Sequence, residues 1–203
     1  MHHTGTALLD PQVILQAIGI QPGWHIVDFG CGALGHFTLP AARAVGGMGK
    51  IYAVDIQKSA LTAITRAARY EQLWNVHPVW SDVEIPGATR IPAASAHVTI
   101  IANTLHQSQN REGVMAEAHR LTMPGGLILI IEWKAEPTLL GPPLKQRLQQ
   151  HEIEGLGVAL DLPLYSRFSA GDHHGAWLFQ RQEVPSAEPT VLHVSQPFAI
   201  HSY

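Results

Sequence analysis

The chain has 203 residues, enough for one domain with a sizeable core and short for two. Apolar residues make up 46%, which suits a globular fold, and a formal net charge of -3 without any basic cluster gives no electrostatic case for nucleic acid. A single cysteine excludes an intrachain disulfide and a cysteine-based zinc site.

The 13 histidines are scattered without H-E-x-x-H or comparable spacing, so no metal site is expected. No apolar run approaches the ~20 residues that cross a bilayer. The opening MHHTGTALLD lacks the charged-then-apolar pattern of a secretory leader, so a cytoplasmic location is expected.

In chain order, the pattern predicts a helix over about 11–18, then a short apolar strand, WHIVDF, running into the glycines of DFGCGALGHF. A helix over about 37–45 closes at Gly46 and Gly47, and KIYAVDI forms a second strand. Leu61, Ile64, Ala68 and Leu73 recur near helical spacing and predict a helix over 58–73. NVHPVW is a third strand, with Pro78 pointing to a sheet edge. HVTIIANTL is a fourth, followed by a helix over 112–121 and an MPGG turn. GGLILIIEW is a long apolar strand, the signature of burial on both faces of a parallel sheet.

A helix over 145–156 and strands over 161–168 and 176–181 complete the pattern. Such alternation predicts a doubly wound α/β sheet whose ligand binds beyond the carboxyl ends of the strands. The domain is expected to span 1–182. Residues 183–203, with three prolines and no helical period, read as an irregular tail, either flexible or docked.

Gly30, Gly32 and Gly35 satisfy the dinucleotide spacing G-x-G-x-x-G, a weak signal in a chain with 18 glycines. Asp28 is more informative. A carboxylate two residues before the first glycine would repel the pyrophosphate that such a loop delivers to a helix N-terminus. A ligand with a cation and no phosphate would be welcomed, and S-adenosylmethionine (SAM) carries an ammonium and a sulfonium. Asp55, at the end of the second strand, suits either a ribose contact or a cap on the following helix.

Five motifs stand in order: VDFGCG, IYAVDI, SDVEIP, ANTLHQ and LTMPGG. From about 11 to 181 the chain resembles a class I SAM-dependent methyltransferase of the ubiquinone/menaquinone-biosynthesis type. The resemblance implies a Rossmann-like, mostly parallel seven-stranded sheet with an antiparallel last strand, and SAM as cofactor. By position, Asp28, Gly30, Cys31 and Gly32 would line the methionine portion and Asp55 would bind the ribose. Ile56 would lie against the adenine, Asp82 would accept from its amino group, and Val83 would contact the ring or offer its backbone N–H. Asn103 would begin the loop over the transferable methyl.

The family's G-x-G-x-G becomes GCGALGHF in this chain. Either Gly35 takes the third glycine role after a one-residue bulge, or Leu34 replaces it in a left-handed conformation that leucine tolerates poorly. Cys31 reads as a small packing residue or as a reactive thiol.

Methyl transfer is a displacement that alignment alone accelerates strongly; a general base is needed only where the acceptor must lose a proton. His106, three residues after Asn103, is the candidate base, with pocket shaping as its alternative. Trp133, the GPPL turn at 141–144 and the pair His173 and His174 are candidate pocket walls or packing. ANTLHQ is unlike the N-P-P-Y loop of nucleic-acid amino methyltransferases, and one cysteine cannot serve thiol-dependent arsenic methylation. The expectation is methyl transfer to a small-molecule acceptor with no nucleic-acid partner, and oligomeric state is left open. The competing readings are a SAM-binding interaction module without catalysis and a nicotinamide-dependent oxidoreductase.

Overall fold

The structure, a computed structural model, describes residues 9–183. Each predicted apolar run forms a strand: β1 His25–Phe29, β2 Lys50–Asp55, β3 Val76–Trp80, β4 Ala96–Ala102, β5 Thr122–Trp133, β6 Leu164–Ser169 and β7 His174–Gln180. Between them lie α1 Pro11–Ala17, α2 Thr38–Val45, α3 Lys58–Tyr70, α4 Arg111–Leu121 and α5 Gln150–Val158. The seven strands pair in the order β3-β2-β1-β4-β5-β7-β6. Pairings from β3 to β5 are parallel, and β7 runs antiparallel to both its neighbours. The doubly wound, mostly parallel sheet with an antiparallel last strand is the one the sequence led us to expect, and Pro78 does sit on an edge strand.

Two layers of helix cover the sheet because alternate strand residues face opposite ways. On one face Val27, Phe29, Ile128 and Ile130 pack with Val114, Met115 and Leu121 of α4, Ile153 of α5 and Trp177. On the other, Ile26, Ile100, Leu129 and Ile131 meet Ile14 and Leu15 of α1 and Ala41, Ala42 and Val45 of α2. The chain reverses its winding between β1 and β4, which lie side by side. That adjacency opens a crevice beyond their carboxyl ends, the place where such sheets bind ligands.

Several boundaries differ from the sequence pattern: α3 stops at Tyr70 and β4 at Ala102, each three residues early. MPGG is not a separate turn but lies inside β5, where the pairing steps from Ala96↔Thr122 to Val98↔Leu127 and the intervening residues bulge. α5 starts later than its apolar pattern, after a short 3-10 turn at Leu144–Gln146, because side-chain bonds of Arg147 hold the preceding chain in a loop. β6 starts at Leu164 because Asp161 takes a left-handed φ of 51° at the end of α5. The expected tail beyond Glu183 lies outside the described residues. Among those described, no helix is long and apolar enough to cross a membrane.

Candidate active site

The crevice begins with Asp28, the next-to-last residue of β1. It is only 3% exposed. Among the described residues its donors come from Thr38 alone, the hydroxyl standing 2.6 Å from Oδ2 and the backbone N–H adding a second contact. Burial pushes its pKa up from an ordinary 3.8 to about 7, opposed by the Thr38 bonds and reinforced by the nearby Asp55 charge. A carboxylate this poorly solvated gains most from a neighbouring cation.

The glycine loop then folds over the end of β2, with Gly30 and Cys31 donating backbone N–H bonds to the Val54 carbonyl. Gly35 has a φ of 56°, and a Cβ there would overlap the Ile64 side chain of α3. Leu34 points outward at 85% exposed. Gly35 is therefore the residue that lets the loop lie against α3, after the one extra residue. Burial and the carboxylates of Asp28 and Asp55 push the Cys31 thiol well above its usual range, so it is a packing residue rather than a thiolate.

Asp55 holds the loop from the other side. Its Oδ2 accepts from Gly32 N–H at 3.0 Å and its Oδ1 from Gln57 N–H at 2.8 Å, so the same carboxylate tethers the glycine loop and starts α3. Ile56 beside it is 60% exposed, an apolar surface at the sheet's end. Asp82 accepts from Glu84 N–H at 2.9 Å in a tight turn, and Val83 packs into the core with Val54. Burial of that side chain favours its backbone, rather than its methyls, as the group free to meet a ligand.

Asn103 follows β4 with a left-handed φ of 53°, and its buried Oδ1 has no hydrogen-bond partner among the described residues. Asp28, Gly30, Cys31 and Asn103 line a cavity of about 370 Å³, closed by His36, Phe37, Trp133 and His174. A buried carboxylate bonded by Thr38 and the unpartnered Asn103 Oδ1 in one wall fit a ligand that brings donors and positive charge. That is the chemistry of the SAM methionine end.

The three candidate walls from the sequence also meet. The His174 ring lies 4.2 Å from that of Trp133, Gly141 fits against the Trp133 ring where a Cβ would clash, and the Arg147 guanidinium stands 5.4 Å over the same ring. Arg147, which the sequence did not single out, donates to the carbonyls of Lys134, Glu136, Leu140 and Pro142 and so fixes the whole GPPL loop. No local pattern marks a lone arginine in such a role.

His106 does not line this cavity. It sits in a 3-10 turn, Leu105–Gln107, with its ring turned to Glu132 at the end of β5. Its Nδ1 lies 2.8 Å from Glu132 Oε2, while Oε1 accepts from the backbone N–H of Leu105 at 2.7 Å and of His106 at 3.3 Å. Glu132 is 0% exposed. The sequence reading absorbed it into an apolar strand, although a lone acid in LILIIEW was the visible signal. Among the described residues, no cluster of histidine, cysteine and acidic side chains is arranged to hold a metal.

A protein-family model described as a methyltransferase domain matches residues 20–157. The demethylmenaquinone methyltransferase of Geobacillus stearothermophilus is 28% identical over 129 residues, 63% of this chain and 53% of that protein. The ubiquinone/menaquinone biosynthesis C-methyltransferase of Cupriavidus necator is 28% identical over 154 residues, 72% of this chain and 59% of that protein. The chain thus spans little more than half the length of these curated relatives. A SAM-dependent methyltransferase from Aquifex aeolicus has the same fold, with a TM-score of 0.77 at 24% identity, covering 85% of this chain and 90% of that one.

Proposed function

Because this chain belongs to the class I SAM-dependent methyltransferase family, we propose that it methylates a ring carbon of a small phenolic acceptor, the reduced form of a quinone precursor. The observation that carries the reading is the cavity wall in which the buried Asp28 carboxylate, bonded by Thr38, stands beside the unpartnered Asn103 Oδ1. The relatives named for demethylmenaquinone and for ubiquinone/menaquinone C-methylation support the acceptor class. Reduction of the acceptor is required by chemistry: a quinone ring is electrophilic, whereas a phenolate is nucleophilic at the carbon ortho to its oxygen.

When bound, SAM supplies a methyl group on a sulfonium, a good leaving group. Asp28 and Asn103 would accept from its ammonium, Asp55 from the ribose hydroxyls, and Asp82 from the adenine amino group, with Ile56 against the adenine. Trp133 and His174 restrict the space left for an acceptor. His106 lies outside that lining, so the acceptor ring must extend past the Trp133 and His174 wall toward the 3-10 turn Leu105–Gln107, where Nε2 of His106 would take the phenolic proton and make the ortho carbon the attacking atom. The ring proton displaced at the end leaves to solvent and restores aromaticity.

The test is His106→Ala, assayed with SAM and a short-chain menaquinol or ubiquinol precursor. Turnover should fall by ~10²–10⁴-fold while SAM affinity in calorimetry stays unchanged. The lost rate should return as pH rises toward the phenol's own pKa, because solvent then removes the proton. A fall in acceptor affinity that is insensitive to pH would make His106 a pocket-shaping residue. SAM binding without transfer to any phenol would favour a non-catalytic binding module, and NAD binding without SAM binding would overturn the reading altogether.

A further inference from the structure

We propose that Glu132 is a positioning residue for His106: it fixes the imidazole in the form that carries a proton on Nδ1 and leaves Nε2 as the proton acceptor. The inference rests on the reading of His106 as a base. Oε1 of Glu132 already accepts two backbone N–H groups, and we assign the Nδ1 that lies 2.8 Å from Oε2 as a third donor to the same carboxylate. Nε2 makes no hydrogen bond among the described residues, and the side chain keeps 13% of its surface exposed. The ring therefore has one nitrogen committed and one available.

The rest of the geometry removes the freedom that would spoil this. Glu132 follows Ile128 and Ile130 on the face covered by α4 and α5, where a strand of this composition would otherwise place another aliphatic residue. Its second oxygen holds the backbone N–H groups of Leu105 and His106, and Arg111 Nε donates to the Leu105 carbonyl at 3.0 Å. Backbone and ring of His106 are thus anchored to one carboxylate. A clamp on the loop needs only the two backbone bonds; the bond to Nδ1 adds control of the proton's position.

The substitution Glu132→Gln separates the two roles. Glutamine offers one acceptor oxygen and one donor NH₂. With its oxygen on the two backbone N–H groups, its NH₂ faces Nδ1 and drives the ring proton to Nε2, where it blocks proton uptake. Nitrogen-15 NMR of labelled histidine, recorded without SAM or acceptor, should find His106 protonated on Nδ1 in the parent and on Nε2 in the variant. Methyl transfer to the quinol should fall by ~10²–10⁴-fold, with SAM affinity within about twofold of the parent because Glu132 lies outside the cavity wall.

A parent proton on Nε2, or a variant that keeps both tautomer and turnover, overturns the proposal. If the variant fails to fold, the parent spectrum decides by itself. If the tautomer inverts but His106→Ala retains full turnover, Glu132 does position the ring while the base reading fails.

Discussion

Asp28 and Glu132 are both carboxylates buried at strand ends, on β1 and β5, yet they are bonded oppositely. Glu132 has three donors on its two oxygens and does not line the cavity that Asp28 faces. Among the described residues Asp28 has only Thr38 as a donor, faces the cavity, and has its pKa pushed up to about 7 by burial. The difference teaches how to tell a carboxylate that organises a fold from one that awaits a ligand. Three donors on Glu132 fix a loop, whereas acceptor capacity left beside a cavity, as on Asp28, suits a ligand; Asp55 stands between them, with one donor on each oxygen and a further lone pair on each for a ribose.

The largest effect that tests this contrast is on stability. Glu132→Ala leaves three donors without a partner in the core and should cost about 3–5 kcal/mol in chemical denaturation. Asp28→Asn should leave the ligand-free protein as stable as the parent at pH 8, or more stable, because no charge is then buried. The same variant should weaken SAM by ~1.5–3 kcal/mol in calorimetry, the worth of a lost charged hydrogen bond. Equal stability losses for the two variants would erase the distinction.

Asp55→Ala should weaken SAM by ~1–3 kcal/mol through lost ribose bonds, and Gly32 loses its tether as well. Unchanged affinity in a folded variant would reduce Asp55 to a helix-starting residue.

Proton linkage supplies the next test. The folded pKa of Asp28, about 7, lies above its ordinary value of 3.8, so the folded protein binds this proton more tightly than the unfolded chain. Its contribution to stability is full below the unfolded pKa, declines as pH rises from about 4 to about 7, and is constant above. With the ammonium on Asp28, as proposed, SAM displaces that proton, so its affinity should fall by up to ~1.4 kcal/mol per pH unit below about 7. Calorimetry in buffers of different ionisation enthalpy should record proton release near neutral pH, and Asp28→Asn should abolish it. The smallest change is expected for Asp82→Ala, since the adenine keeps its apolar and backbone contacts.

Much of this site was legible in the sequence because its glycines, acids and strand ends lie in local patterns. VDFGCG carries both the carboxylate and the loop, and the alternation of periods sets the sheet. Glu132 was overlooked because strand periodicity scores a buried position by its neighbours, and its partners Leu105 and His106 are 27 and 26 residues away in sequence. Arg147 escaped for a similar reason, since its bonds go to backbone carbonyls, which have no residue identity to read.

By itself, then, the sequence determined the strand-helix alternation, the glycine loop and the acids at the ends of β1 and β2, all of which follow from spacing within a short stretch of chain. Only the tertiary structure decided that, among the described residues, Asp28 takes donors from one residue while Glu132 takes three, that Trp133, His174 and the GPPL loop close on one another, and that the His106 ring is bonded to Glu132 beside the cavity. Those outcomes depend on which strand ends become neighbours and on which side of the sheet each residue falls. Hydrogen-bond satisfaction is a property of the assembled surroundings, and no local spacing encodes it.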